Sequence, residues 1–286
     1  MKKIISIILV MITAVILFSG CSKPVETPLL KVEPPIATDI ISSVAKNDSI
    51  ASVLPDSVKS AGKITIGVDD TYPPMEYRDD KNALVGFDVD LGNAIGKKLG
   101  VNIEWVPTAF SGILPALQAK KFDMVMSTLS ITDERKKEIG FSEPYLMGGP
   151  VIVCLTGNTA IKSSDDFKGK VIGVQLGTTG EEAVNGLTGI KEVKKYDKIT
   201  DALLDLAAKR TEAVVADDQV GRYYIGLDSS KYAVVGKMAD EPYGIGFRKD
   251  DTVLIDTVQK AINDLKADGT LSKISLKWFN TDYYKK

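Results

Sequence analysis

Arg135 closes a polar stretch that contains Ser127, Thr128 and Ser130. A guanidinium can hold a carboxylate through two parallel hydrogen bonds, and nearby hydroxyl and carbonyl groups can meet the remaining polar atoms of a small molecule. Gly177-Thr178-Thr179-Gly180 is a small-residue turn entering a helical stretch. Backbone N–H groups in such a turn favour an anion. Asp217 offers a carboxylate to an ammonium group. Tyr72 and Phe110 can flank an aliphatic or planar side chain, with cation–π attraction if it is charged. A carboxylate clamp, an ammonium clamp and two aromatic walls suit a free amino acid. Each residue also has a plainer use. Asp69 and Asp70 can cap a turn, Tyr72 and Phe110 can be core aromatics, and Ser130 and Thr132 can cap a helix. What favours a site is that these residues coincide at the ends of expected strands.

Those strands follow from the apolar pattern. Residues 63–68 form a short β-branched run, and apolar residues at 89, 91, 95 and 99 have helical spacing ended by Gly100. A strand over 101–106, a helix over 111–119 and a strand over 123–126 continue the alternation. Ser111 would cap that helix, and Pro115 sits awkwardly inside it. The pattern then restarts, with strands over 151–154, 171–174, 192–196, 213–216 and 233–235. Helices are expected over 180–187, 200–209 and 218–225. The tail over 251–279 reads as two helices broken at Asp268-Gly269. Strands alternating with helices predict a parallel sheet with covering helices. Two such units predict an α/β fold of two lobes with a cleft between them. In such sheets ligands bind beyond the carboxyl ends of strands, after Val68, Val106, Met126, Val174 and Ala216.

Composition narrows the chemistry. The chain has 286 residues, 36 basic and 38 acidic side chains, a net charge of −2, two cysteines and no histidine. Triads and Cys-His pairs built on histidine are excluded, as are His-ligated zinc and haem. Two cysteines cannot make a Cys₄ metal site. No metal and no cofactor is expected, and a balanced charge argues against a nucleic-acid partner. At the start, Lys2 and Lys3 precede an uncharged run over 4–18 that is short for a membrane span and reads as a secretory signal peptide over 1–20. Leu17-Phe18-Ser19-Gly20-Cys21 resembles a bacterial lipobox, although Phe18 stands where leucine is usual. On that resemblance Cys21 is the lipid attachment site, the protein is exported and anchored to the outer face of the cell membrane or periplasmic, and 21–60 is a tether. The plainer reading is a signal peptide with a chance cysteine. The linker holds Pro24, Pro28, Pro34 and Pro35 and few aromatics, with a short helix expected over 47–59. Cys154, in an apolar run, reads as a buried free thiol.

Several stretches together resemble the polar amino-acid-binding proteins of bacterial ABC importers, the extracellular solute-binding proteins of the glutamine, histidine and arginine type. They are residues 69–77, Val85-Gly86-Phe87-Asp88-Val89-Asp90-Leu91, residues 110–117, residues 127–136 with Phe141-Ser142-Glu143-Pro144-Tyr145, residues 173–180 and residues 243–247. The resemblance implies a type II periplasmic-binding-protein-like fold. Lobe 1 would be 61–145 plus 244–286, lobe 2 would be 150–239, and the hinge would lie near 145–149 and 239–243. It implies that Arg135 binds a ligand α-carboxylate with the backbone of Ser130 and Thr179. Asp217, Thr128 and Ser130 would bind the α-amino group. Tyr72 and Phe110 would flank the side chain, Asp69 would reach its distal polar end, and Gln175 would lie near that end. Ser127 and Thr178 complete the candidate set. Asp88 and Asp90 would cap the following helix rather than touch ligand. The implied function is capture of a free L-amino acid by a monomer and delivery to an ABC permease with a separate ATPase, with no chemistry on the ligand. Asp69 favours a cationic amino acid, with glutamine second. Two other classes share the fold's possibilities. A cyclohexadienyl-dehydratase-like enzyme would need a general acid and no amino-acid clamp, and a sensor module would use closure as a signal.

Overall fold

Ile64, Ile66 and Val68 lie fully buried on one face of the strand Lys63–Val68. The computed structural model describes residues 40–285. In the first sheet the strand order is Asn102–Pro107, Lys63–Val68, Met124–Val125, Gly246–Phe247 and Gly140–Phe141. Lys63–Val68 pairs in parallel with its neighbours on both sides, whereas Gly246–Phe247 runs antiparallel. The second sheet has the order Glu192–Tyr196, Val171–Gln175, Ala213–Asp217, Pro150–Leu155 and Tyr232–Lys237. Its first three strands are parallel, and the last two run antiparallel to their partners. Both sheets are therefore mixed rather than parallel throughout. Thr71–Tyr72, Glu76–Arg78 and Leu84–Val85 form a separate small antiparallel sheet.

Helix Phe87–Leu99 buries Phe87, Leu91, Ile95 and Leu99, and Gly100 ends it in the left-handed conformation at φ 69°. Each such side chain contributes roughly 1.5–3 kcal/mol by leaving water. Helix Phe110–Gln118 starts one residue earlier than expected, and Ala109, not Ser111, is its N-cap. Pro115 is accommodated: its carbonyl still accepts from Ala119 N at 2.9 Å, so the ring removes one donor without breaking the helix. Helices Thr252–Ala267 and Thr270–Phe279 are broken at Asp268-Gly269 as the spacing predicted.

The segment before the first strand differs from a plain tether. The helix expected over 47–59 is two short helices, Asp48–Ala51 and Asp56–Ala61, because Pro55 sets the N-terminus of the second. Ile40, Leu54 and Val58 are buried. Asn47 N donates to the Lys98 carbonyl at 2.9 Å, and its side chain donates to Asp264 at 3.1 Å. The signal sequence, Cys21 and the linker up to residue 39 lie outside the described residues. Among the described residues no helix is long and apolar enough to cross a membrane. Cys154 is a buried free thiol whose pKa burial pushes up to about 12.

The chain passes between the two sheets twice. Along these passages Leu146–Gly148 pairs antiparallel with Glu241–Tyr243. Tyr243 is fully buried there, and its hydroxyl accepts from Gly149 N at 2.6 Å.

Candidate functional site

The strand ends named above converge on one small cavity. Tyr72 comes from Thr71–Tyr72, Phe110 opens its helix, and Ser127, Thr128 and Ser130 follow Met124–Val125. From the second sheet come Gln175 and Asp217 at strand ends, with Thr178 and Thr179 between them. Arg135 completes the lining. Of the candidate residues, Asp69 alone does not line the cavity; it stands behind Gln175, bonded to it. Among the described residues no group of three or more His, Cys, Asp or Glu side chains gathers as a metal site.

Arg135 sits in the short helix Asp133–Glu138, whose Thr132 cap accepts from Arg135 N at 3.1 Å. Its guanidinium donates to the Ser130 carbonyl at 2.9 Å and to the Gly177 carbonyl at 3.0 Å. It thereby ties the two sides of the cleft, while its Cζ lies 5.7 Å from the Phe110 ring centre. Burial lowers its pKa, opposed by Glu182, Glu241 and Asp217. The guanidinium stays charged.

The Gly177-to-Gly180 turn is partly committed to its own helix. Thr178 is the N-cap of Thr179–Asn185 and accepts from Glu181 N at 3.2 Å. Glu181 in turn accepts from Gly177 N at 2.7 Å, which removes one N–H from any ligand. Thr179 Oγ1 donates to Glu241 at 2.7 Å.

Asp217 accepts from the Tyr72 hydroxyl at 2.8 Å. Tyr72 is thus a wall with a polar tip that reaches across the cleft. Burial raises the Asp217 pKa to about 6, against the opposing hydrogen bonds from Tyr72 and Tyr243. Asp69 is buried, and its carboxylate works in two directions. One oxygen accepts from Thr71 Oγ1 at 2.6 Å and Thr71 N at 3.2 Å, which supports the turn. The other accepts from Gln175 Nε2 at 2.6 Å. Gln175 Nε2 also donates to the Asp197 carbonyl at 2.9 Å. Two acceptors on one amide nitrogen fix the amide's orientation. Gln175 Oε1 is left buried without a donor among the described residues.

The hydroxyls of Ser127 and Thr128, both in the lining, are engaged by the Glu76 carboxyl. Ser127 Oγ donates to Glu76 at 3.0 Å and accepts from Asp69 N at 3.0 Å. Thr128 Oγ1 bonds weakly to the same Glu76 at 3.3 Å. Asp88 and Asp90 are not helix caps. Gly86 is the N-cap, and the two side chains bond elsewhere. Asp88 accepts from Thr128 N and from the Tyr145 hydroxyl, both at 2.9 Å. Asp90 accepts from Lys277 at 2.6 Å and from Trp278 Nε1 at 2.7 Å. Glu76, Asp88 and Tyr243 lie in stretches singled out above, and Glu241 does not, but no contact role was assigned to Glu76, Glu241 or Tyr243 because their partners are distant in the chain.

Bacterial extracellular solute-binding proteins, family 3, match residues 64–281. The L-cystine-binding protein TcyJ of Escherichia coli (strain K12) is 32% identical over 87% of this chain and 95% of its own. The lysine/arginine/ornithine-binding periplasmic protein of the same strain is 33% identical over 87% of this chain and 97% of its own. An ancestral arginine-binding protein, solved bound to arginine and again bound to glutamine, is 43% identical with a TM-score of 0.74 in both structures. The arginine-bound structure covers 76% of this chain and 98% of that one, the glutamine-bound structure 77% and 99%. The two mixed sheets are those of the type II periplasmic-binding-protein fold, and these relatives are binding proteins, not enzymes. With the match spanning both sheets and the cavity between them, the chain belongs to the bacterial extracellular solute-binding proteins, family 3.

Proposed function

We propose that this protein captures a free cationic L-amino acid, arginine or lysine before histidine, and hands it to the permease of an ABC importer driven by a separate ATPase. The observation that carries the reading is a buried acceptor at one end of the cleft with a carboxylate behind it. Gln175 Oε1 is buried without a donor, and the Asp69 carboxylate is bonded to the same amide. A buried acceptor without a donor costs about 1–3 kcal/mol, so a ligand rich in N–H groups is favoured there. Charge points the same way. Arg135 serves a ligand carboxylate and Asp217 a ligand ammonium, which leaves Asp69 as an excess negative charge. Arginine and lysine satisfy both demands. Glutamine satisfies the hydrogen bonding but not the charge, and ranks second. Glutamate satisfies neither.

Binding would bridge the two sides of the cleft, with the passages near 145–149 and 239–243 acting as hinge. A ligand that touches both sides favours their closure by its differential affinity. The lipobox-like stretch before Cys21 supports an N-terminal lipid that keeps the monomer at the membrane surface. Replacing the charge tests the ligand assignment. Asp69→Asn should weaken arginine by about tenfold or more, because it removes a buried negative charge close behind the cleft, and weaken glutamine much less. Equal losses for both ligands in calorimetry would sink the assignment.

A further inference from the structure

Behind the cleft wall lie two carboxyl groups with no part in the proposed ligand contacts. Glu76 begins the strand Glu76–Arg78, and Asp88 lies in the first turn of Phe87–Leu99. Both are 0% exposed, and Thr128 bridges them: its N–H donates to Asp88 at 2.9 Å and its Oγ1 lies 3.3 Å from Glu76. The other ionisable groups that face them are Asp69, Tyr72, Tyr145 and Tyr284, none of them a cation. Two ionised carboxylates bridged by one residue, buried and without a cation, repel strongly. Two oxygens of the pair show where a proton belongs. Asp88 Oδ2 accepts from both Thr128 N and Tyr145 OH, so Asp88 is the better stabilised anion. Asp88 Oδ1 is buried with no donor among the described residues. A protonated Glu76 supplies that donor, while its other oxygen accepts from Ser127. Burial, followed by the charges of Asp88 and Asp69, pushes the Glu76 carboxyl well above the usual range, in agreement.

We propose that Glu76 and Asp88 share one proton, donated by Glu76 to Asp88 Oδ1, and that this pair is the positioning element of the cleft wall at Ser127 and Thr128. Its hold on the wall is direct. Thr128 stands at φ 49°, a left-handed conformation that a β-branched residue adopts only under constraint, and Asp88 binds its N–H. Ser127 connects Glu76 to the backbone of Asp69. Tyr145, the other donor to Asp88, lies beside Leu146–Gly148 on one passage between the sheets. Loss of the proton would set two anions against each other under this wall, so ligand affinity falls on the alkaline side.

The sign of the stability effect follows from the raised pKa. The folded chain holds a proton that the unfolded chain releases in the ordinary carboxylate range. Stability from this group is therefore full at low pH and declines as pH rises through the folded value. The full-length protein, Glu76→Gln and Glu76→Ala are compared. In the infrared, wild type should keep a protonated carboxylic acid band as pH rises past about 6, where Asp217 and Asp88 ionise, and Glu76→Gln should lack it. Without ligand, wild type should lose thermal stability relative to Glu76→Gln as pH rises above the ordinary carboxylate range, because burial holds the Glu76 carboxyl well above it. The ratio of the two arginine affinities should shift the same way, which cancels titration of the ligand. Glu76→Ala should bind arginine about tenfold or more weakly than Glu76→Gln near neutral pH, because only the amide replaces the donor. A wild type with no acid band, or with stability and affinity profiles parallel to those of Glu76→Gln, would overturn the pair. The affinity arm rests on the proposed function. If no amino acid binds while the band and the stability difference are found, that function fails and the pair stands.

Discussion

Asp217 carries two opposite pH effects at the residue scale. Burial raises its pKa from 3.8 to about 6. In the protein alone, its contribution to stability is full below its ordinary value and lost as pH rises to about 6. Ligand binding runs the other way, since an ammonium group needs the ionised form. Arginine affinity should therefore fall about tenfold from about pH 7.5 to about pH 5, while the ligand-free protein gains stability from this group. Calorimetry and thermal unfolding over the same pH series check both halves. An affinity flat across that range would remove Asp217 from the ammonium clamp. Tyr72 contributes to the same balance, because its hydroxyl donates to Asp217 and must share that oxygen with a ligand.

Among the elements, the two passages between sheets leave little room for change. Gly149 stands at φ 110°, and a Cβ there would lie 2.5 Å from the Ala239 carbonyl and 2.9 Å from Glu241 N. Both obstacles are backbone on the opposite passage. Gly149→Ala should cost about 1–3 kcal/mol of stability from strain, read as a lowered unfolding midpoint in denaturant. An unchanged midpoint would show that the passages move apart freely. The short strands beside these passages explain what the sequence concealed. Gly140–Phe141 and Gly246–Phe247 have no period to read, and only pairing with Met124–Val125 and with each other makes them strands. They also turn an expected parallel sheet into a mixed one. Longer runs such as 63–68 and 171–174 were legible because burial on both faces demands continuous apolar residues. In the candidate site, Arg135, Asp217 and Gln175 were legible from their place after strands. Glu76 and Asp88 were not, since their meaning lies in the Thr128 contacts that bridge them.

For the whole molecule, direct bonds already join the two sides of the cleft. Tyr72 meets Asp217, Gln175 meets Asp69, and Arg135 meets the Gly177 carbonyl. Outside the cavity, the Tyr77 ring lies 6.1 Å from Tyr223 and 6.2 Å from Trp278. A bound amino acid would exchange some of these bonds for its own, so selectivity depends on which ligand replaces them best. The absence of histidine from the chain now has a specific reading: guanidinium, carboxylate, amide and hydroxyl groups form the whole polar lining. The most direct test is titration calorimetry of the full protein with each of the twenty amino acids at one pH and salt concentration. Arginine or lysine should bind tightest, with glutamine weaker and glutamate weakest of these. Glutamate binding tightest would contradict the assignment of Asp69 and Gln175 to a cationic ligand.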